Sequence, residues 1–230
     1  MLIPLTQETF DQVVPVIATG AQYSYAWGKV YNLLARLLIS LLIVVSIWIV
    51  GLIFGHGAQG VELVCFIIGG MYWLWCRVNV ASVRNRQYRR FPYVGFWRGE
   101  VLDIFITEEV INETQQADQF GRLVVVENIE RRINLEVGDH QGFTAVVQAP
   151  VQKTYKGIRP GMVAEMLLFS KNAELERVDK LSDLHLPELD LWVGDYPVVR
   201  RDIFRDISNE FGSQIPRRRR QPTPSSRRIR

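Results

Sequence analysis

LLISLLIVVSIWIVGLIF (residues 37–54), followed by GHGAQG (55–60) and VELVCFIIGGMYWLWC (61–76), is the stretch whose reading decides the fold. The first run carries no charge over 18 positions. That is about 27 Å of helix, against a hydrocarbon core of roughly 30 Å. The second run is nearly as long, with Glu62 near its start and Arg77 just past its end. A soluble helix shows a polar face, and the first run shows none. The expectation is a hairpin of two transmembrane helices over residues 37–83.

Charge around the hairpin sets its orientation. The connecting loop has no Lys or Arg, whereas Lys29 and Arg36 precede the first span and Arg77, Arg84, Arg86, Arg89 and Arg90 follow the second. The positive-inside rule then places both termini on the cytoplasmic side of an integral membrane protein. Tyr23, Tyr25, Trp27 and Tyr31 before the spans, and Tyr72, Trp73 and Trp75 at their close, fit an interfacial aromatic belt.

Composition excludes a polytopic transporter, because the hairpin takes under a quarter of the 230 residues. The net charge of +3 is unevenly spread: seven of the 27 basic residues lie in 216–230, leaving 20 against 24 acidic ones in the body. The tail, rich in Arg, Pro and Ser, reads as disordered. Cys65 and Cys76 are the two cysteines. In one continuous helix they would share a face about 16 Å apart, too far to bridge or to hold one metal. No cofactor is expected.

Residues 1–36 form an N-terminal segment. Apolar positions Phe10, Val13, Val14 and Ile17 have helical spacing, Thr6 is the expected cap, and Pro15 shortens or bends the helix. This helix lies on the membrane surface or docks on the soluble domain. Within the spans, Gly51 and Gly55 (a GxxxG spacing) and the Gly69-Gly70 pair let backbones approach, within the hairpin or against a partner's helix.

From Gly95 the pattern becomes alternation. Strands are expected over 96–106, 122–127, 131–137, 143–147 and 162–170, with polar residues 112–121 as a loop and turns at 138–142 and 160–161. The expected cytoplasmic domain, residues 91–211, is a small antiparallel β-barrel of SH3 or OB type, ending in a short helix near 202–211; a two-layer α+β domain is the alternative.

No P-loop, HExxH, GxSxG, paired CxxC or GxGxxG motif is present. Neither span holds a central charge that would mark a substrate path, and no small-molecule substrate is evident. Arg84, Arg86, Arg89 and Arg90, with Arg217, Arg218, Arg219 and Arg220 in the tail, are the candidate lipid contacts. The tail has no interleaved aromatic to stack on bases, which argues against nucleic acid. Tyr93, Trp97, Trp192 and Tyr196, together with Gly51 and Gly55, are the candidate contacts to a protein partner.

The strings MLIPLT (1–6), YWLW (72–75), ASVRNRQYRRFPY (81–93) and LWVGDYP (191–197) resemble an uncharacterised family of membrane proteins from cyanobacteria and plastid-bearing lineages. The resemblance covers residues 1 to about 211, leaving the Arg tail outside. It implies a plasma or thylakoid membrane and a role beside photosynthetic complexes. Members often carry the label of phosphate transporter permease. An ABC permease needs a core of several spans and a coupling helix, which two spans do not supply. The expectation is therefore a non-enzymatic, membrane-anchored scaffold or assembly factor whose β-domain binds a client. The alternative is an accessory subunit of a transporter or channel.

Overall fold

The computed structural model describes residues 1–27, 30–55, 59–117 and 123–214. Eight strands form one sheet: β1 (Leu2–Pro4), β2 (Tyr93–Ala117), β3 (Leu123–Gly138), β4 (Thr144–Pro150), β5 (Val163–Ser170), β6 (Lys180–Leu181), β7 (Leu184–Leu186) and β8 (Leu191–Val193). Among the described residues six α-helices accompany them, α1 (Gln7–Val13), α2 (Gly20–Trp27), α3 (Val30–Phe54), α4 (Gln59–Gly70), α5 (Tyr72–Tyr88) and α6 (Arg201–Gln214), with one 3-10 turn at Lys153–Gly157.

Strand β5 explains the layering, since it is buried from Ala164 to Ser170. Strand residues alternate between faces. Ala164, Met166 and Leu168 therefore enter one core with Trp97, Val101, Ile133, Leu135, Val147 and Val193. Leu167 and Phe169 enter a second core with Phe10, Val14, Phe96, Val199, Phe204 and Ile207. The first core lies within the curl of the sheet. The second lies between the sheet and α1 and α6. The sheet order is β4-β3-β2-β5-β7-β8, with β1 beside β2 and β6 beside β5, and every pairing is antiparallel.

The expected barrel does not close: the sheet is open, and no ladder joins β4 to β8. Strands β7 and β8 have three residues each, too few to give the seven residues of β4 a continuous partner. Side chains cross the gap instead, as where Arg132 on β3 pairs with Asp195 beyond β8. The polar loop expected over 112–121 is also corrected, because β2 runs on to Ala117 and pairs with β3 as far as Leu123.

The N-terminal segment docks on the sheet. β1 pairs with residues 95–97 of β2, and α1, capped by Thr6 accepting from the Thr9 N–H at 3.3 Å, buries Phe10 and Val13. The membrane-surface reading of this helix is therefore set aside.

Helix α3 contains Leu33–Ile53, 21 residues long and apolar enough to cross a membrane, with 11% of that stretch buried in the protein. It ends at Gly55, whose φ of 79° suits glycine at a helix C-terminus. Helix α4 runs back beside it. A Cβ at Gly69 would lie 2.5 Å from the Ile43 side chain, so any larger residue there would force Ile43 or the helix to shift.

The second apolar run is not one straight helix. α4 and α5 meet at Met71 with a bend of 68°. Groups freed at the bend find partners across it: the Trp73 N–H donates to Ser40 Oγ on α3 at 3.1 Å, and Trp75 Nε1 donates to the Ile68 carbonyl at 2.9 Å. The bend also separates Cys65 on α4 from Cys76 on α5, so the face they would share in a continuous helix does not exist.

Candidate functional site

The helices meet the sheet through polar groups that all find partners. Gln22 on α2 and Asn85 on α5, both fully buried, exchange two hydrogen bonds of 3.0 and 2.9 Å. Gln22 Nε2 also donates to the carbonyls of Pro197 and Val198. The Tyr196 hydroxyl donates to Asn85 Oδ1 at 3.2 Å and lies 3.3 Å from the Ala81 carbonyl. Burial pushes the Tyr196 phenol up to about 12, so it stays a neutral donor. The segment after β8 is thereby stitched to α2 and α5, and the helices and the sheet form one body.

Behind this junction lies a cleft of about 200 Å³, lined among others by Tyr88, Gln148, Asp183, Asp195 and Tyr196. Asp183 is buried; its Oδ1 accepts from the Val198 and Val199 N–H groups at 3.1 and 3.3 Å, while Oδ2 has no partner. Burial raises this carboxyl to about 6, against the pull of the backbone N–H groups.

A second polar group lies under α6. Ser208 Oγ donates to Glu165 Oε2 at 2.6 Å, and His185 Nδ1 lies 3.3 Å from the same oxygen. Nucleophilic catalysis needs the base on the hydroxyl. Here the carboxylate sits between Ser208 and His185, and all three are buried. The arrangement ties α6 to β5 and β7. Among the described residues, no group of three or more His, Cys, Asp or Glu could hold a metal ion.

Several residues singled out from sequence are used inside the fold. Trp97 is fully buried and donates from Nε1 to Asp139 at 2.8 Å. Trp192 is buried and stacks on His185 with ring centroids 4.5 Å apart. Tyr196 is buried at the junction. None of the three offers a partner an open face; their large apolar rings fill cores because that is where such area stabilises most. Arg89, a candidate lipid contact, has partners within the fold: it donates to the Val14 carbonyl at 2.6 Å and pairs with Asp11, holding α1 against the end of α5. Arg84 lies over the Tyr196 ring at 5.2 Å, while Arg86 and Arg90 are exposed. Tyr93 is 43% exposed and remains at the surface. Gly51 is half-buried in α3. Gly55 lies past the end of that helix with nothing within 4 Å of its Cβ position, so the pair does not form one helical contact face. Arg217, Arg218, Arg219 and Arg220 lie outside the described residues.

Sequence reasoning passed over an exposed feature of the sheet. Strand β5 pairs with β2 only over Tyr93–Glu100, and β4 pairs with β3 only over Arg132–Gly138. From Glu108 and Arg131 outward, the strand ladder joins β2 and β3 only to each other, and at its root the Val151 N–H donates to the Arg131 carbonyl at 3.0 Å and Gln148 on β4 donates to Glu109. This two-stranded arm is about 33 Å long at roughly 3.3 Å per residue. The face of the first core continues onto it. Ile106 is opposite Ile133 and Val110 opposite Ile129. Ile106, Val110 and Ile129 are 51%, 49% and 57% exposed. Between these pairs, Glu108 and Arg131 form an exposed ion pair of 3.7 Å. A two-stranded ribbon is marginal on its own, so its apolar face and its unpaired edges suit a partner.

No curated protein and no solved structure matches the chain. One family matches over residues 3–219, nearly the whole 230 residues, taking in the N-terminal strand, the helices, the sheet and the arm. The chain belongs to this family of unknown function, DUF8619.

Proposed function

We propose that the chain is a membrane-anchored scaffold or assembly factor, without catalysis of its own, whose arm takes a protein client from a membrane complex. The observation that carries this reading is the uncovered apolar face that runs from Ile106 onto the arm at Val110 and Ile129. Anchoring makes even weak contacts effective, because tethering raises the local concentration of the two partners.

A two-span hairpin is supported by connectivity. Residues before the helices (β1 and α1) and residues after them (β2 onward) belong to one folded body. The chain between them therefore crosses a membrane an even number of times. With α3 as one crossing, α4 and the start of α5 are the return. The arginines at 77, 84, 86, 89 and 90 favour the cytoplasmic side for the sheet. The resemblance to membrane proteins of cyanobacteria and plastids adds a plasma or thylakoid membrane and a photosynthetic client. A second reading, an accessory subunit of a transporter, draws on the exposed apolar faces of α3 and α4, including Leu41, Trp48 and Leu63, which a permease helix would cover.

The test is purification of the tagged full chain in mild detergent beside an armless variant. In that variant Asn-Gly replaces residues 108–131, since a two-residue turn closes a hairpin after the Thr107–Arg132 pair. Wild type is expected to bring down a membrane-complex subunit in stoichiometric amount, and the armless chain to remain in the membrane but lose it. Unchanged recovery moves docking off the arm. A transporter core and its ATPase, recovered with both chains, would make the second reading primary.

A further inference from the structure

At the bend between α4 and α5 two arginines each keep a buried N–H group without an acceptor. Arg36 near the start of α3 and Arg77 on α5, with Ala35, Tyr72, Cys76 and Val80, line a cavity of about 310 Å³. Arg36 is 9% exposed and its Nη2 has no hydrogen-bond partner. Arg77 donates one Nη2 bond to the Trp27 carbonyl at 3.4 Å, while its Nε is buried and unpartnered. Neither arginine is among those that pair with a carboxylate within the described residues. Buried guanidinium donors without an acceptor are unfavourable, and a planar fork of N–H groups matches a tetrahedral oxyanion. The position narrows the ligand. Tyr23, Trp27 and Trp73 form a chain of edge-to-face ring contacts at this level, as do Tyr72 and Trp75, and aromatic residues of this kind gather where headgroups lie. Exposed Leu37, Leu38 and Leu41 continue along α3 from the same place.

We infer that Arg36 and Arg77 clamp the phosphate oxyanion of an anionic lipid headgroup, with its acyl chains along α3. The inference rests on the anchored reading above. It concerns a cavity distinct from the exposed Arg86 and Arg90.

The test is native mass spectrometry of the full chain, delipidated in detergent and then offered phosphatidylglycerol or phosphatidylcholine of the same chain length. Wild type should retain about tenfold more phosphatidylglycerol than phosphatidylcholine, as two partly buried arginines at the interface imply. The Arg36→Gln/Arg77→Gln variant should hold both lipids equally, and Arg131→Gln/Lys156→Gln, an equal change of charge elsewhere, should keep the preference. Equal retention by wild type, or a preference surviving in the Arg36→Gln/Arg77→Gln variant, would overturn the site. If that variant aggregates, Arg77→Lys is read instead, where a lowered preference supports the fork and an unchanged one overturns it. Displacement of the lipid by millimolar inorganic phosphate would make the ligand a free ion and overturn the headgroup. Anchorage is read separately by carbonate washing of membranes: a chain that leaves the pellet overturns the span, and a chain that stays while holding both lipids equally overturns only the headgroup site.

Discussion

Two stretches of strand β2, residues 93–101 and 102–111, are about equally apolar and lead different lives. At the near end Val94, Phe96, Trp97 and Val101 are all under 5% exposed, with β1 and β5 alongside and a core on each face. At the far end Leu102, Phe105, Ile106, Val110 and Ile111 are all over 40% exposed, with β3 as their partner. Composition does not separate them. What separates them is what the rest of the chain brings over each end, and that difference makes one end a foundation and the other a surface for use.

The largest expected effect tests the foundation. Trp97→Ala should cost about 3–5 kcal/mol, since a fully buried indole is lost and Asp139 loses a donor, whereas Val110→Ala on the arm should stay within about 0.5 kcal/mol. Urea unfolding in mild detergent measures both. A Val110→Ala cost comparable to that of Trp97→Ala would mean the arm is packed after all.

Next comes Asp183, at the closed end of the domain. Its folded-state value of about 6 stands above the ordinary 3.8. The stability it contributes is therefore fully present below about pH 4 and is lost as the pH rises through 6, on the order of 3 kcal/mol in all. Asp183→Asn can still accept from Val198 and Val199. It should flatten the unfolding midpoint between pH 4 and 7, and a slope that persists would assign the titration to another group.

The smallest effect belongs to the arm's ion pair. Glu108 and Arg131 are 63% and 66% exposed, and a pair so solvated contributes about 0–1 kcal/mol. Glu108→Ala should leave the midpoint unchanged within about 0.5 kcal/mol. A larger loss would show that the ribbon's ends are coupled to the core and would blur the contrast along β2.

Much of the fold could be read locally. The uncharged run at 37–54 gave α3, Thr6 and Pro15 gave the bounds of α1, and the alternation of Ile133, Leu135 and Val137 gave the inward face of β3. What escaped depends on distant partners. Gly69-Gly70 reads as a packing pair, and nothing near it announces a 68° bend, because the group that satisfies Trp73 is Ser40 on another helix. The polar stretch after residue 111 lacks the alternation of a half-buried strand, and as far as Ala117 it is a strand through its pairing with β3. Trp97, Trp192 and Tyr196 looked like contacts because aromatic rings favour interfaces and interiors alike. Arg36 and Arg77 read as topology markers, since their missing acceptors are visible only once α3 and α5 lie together.

The pairing of Leu2 with Trp97 also imposes an order in time. The N-terminal strand leaves the ribosome with no partner, and at about 5–20 residues per second that partner follows roughly 5–20 s later. In the interval α3, α4 and α5 are synthesised, while the first strand and α1 wait unpaired. Docking of the N-terminus is thus a late event that locks the finished helices against the sheet. A chain whose helices were wrongly arranged could not make that last pairing, so the first few residues serve as the seal on the completed fold.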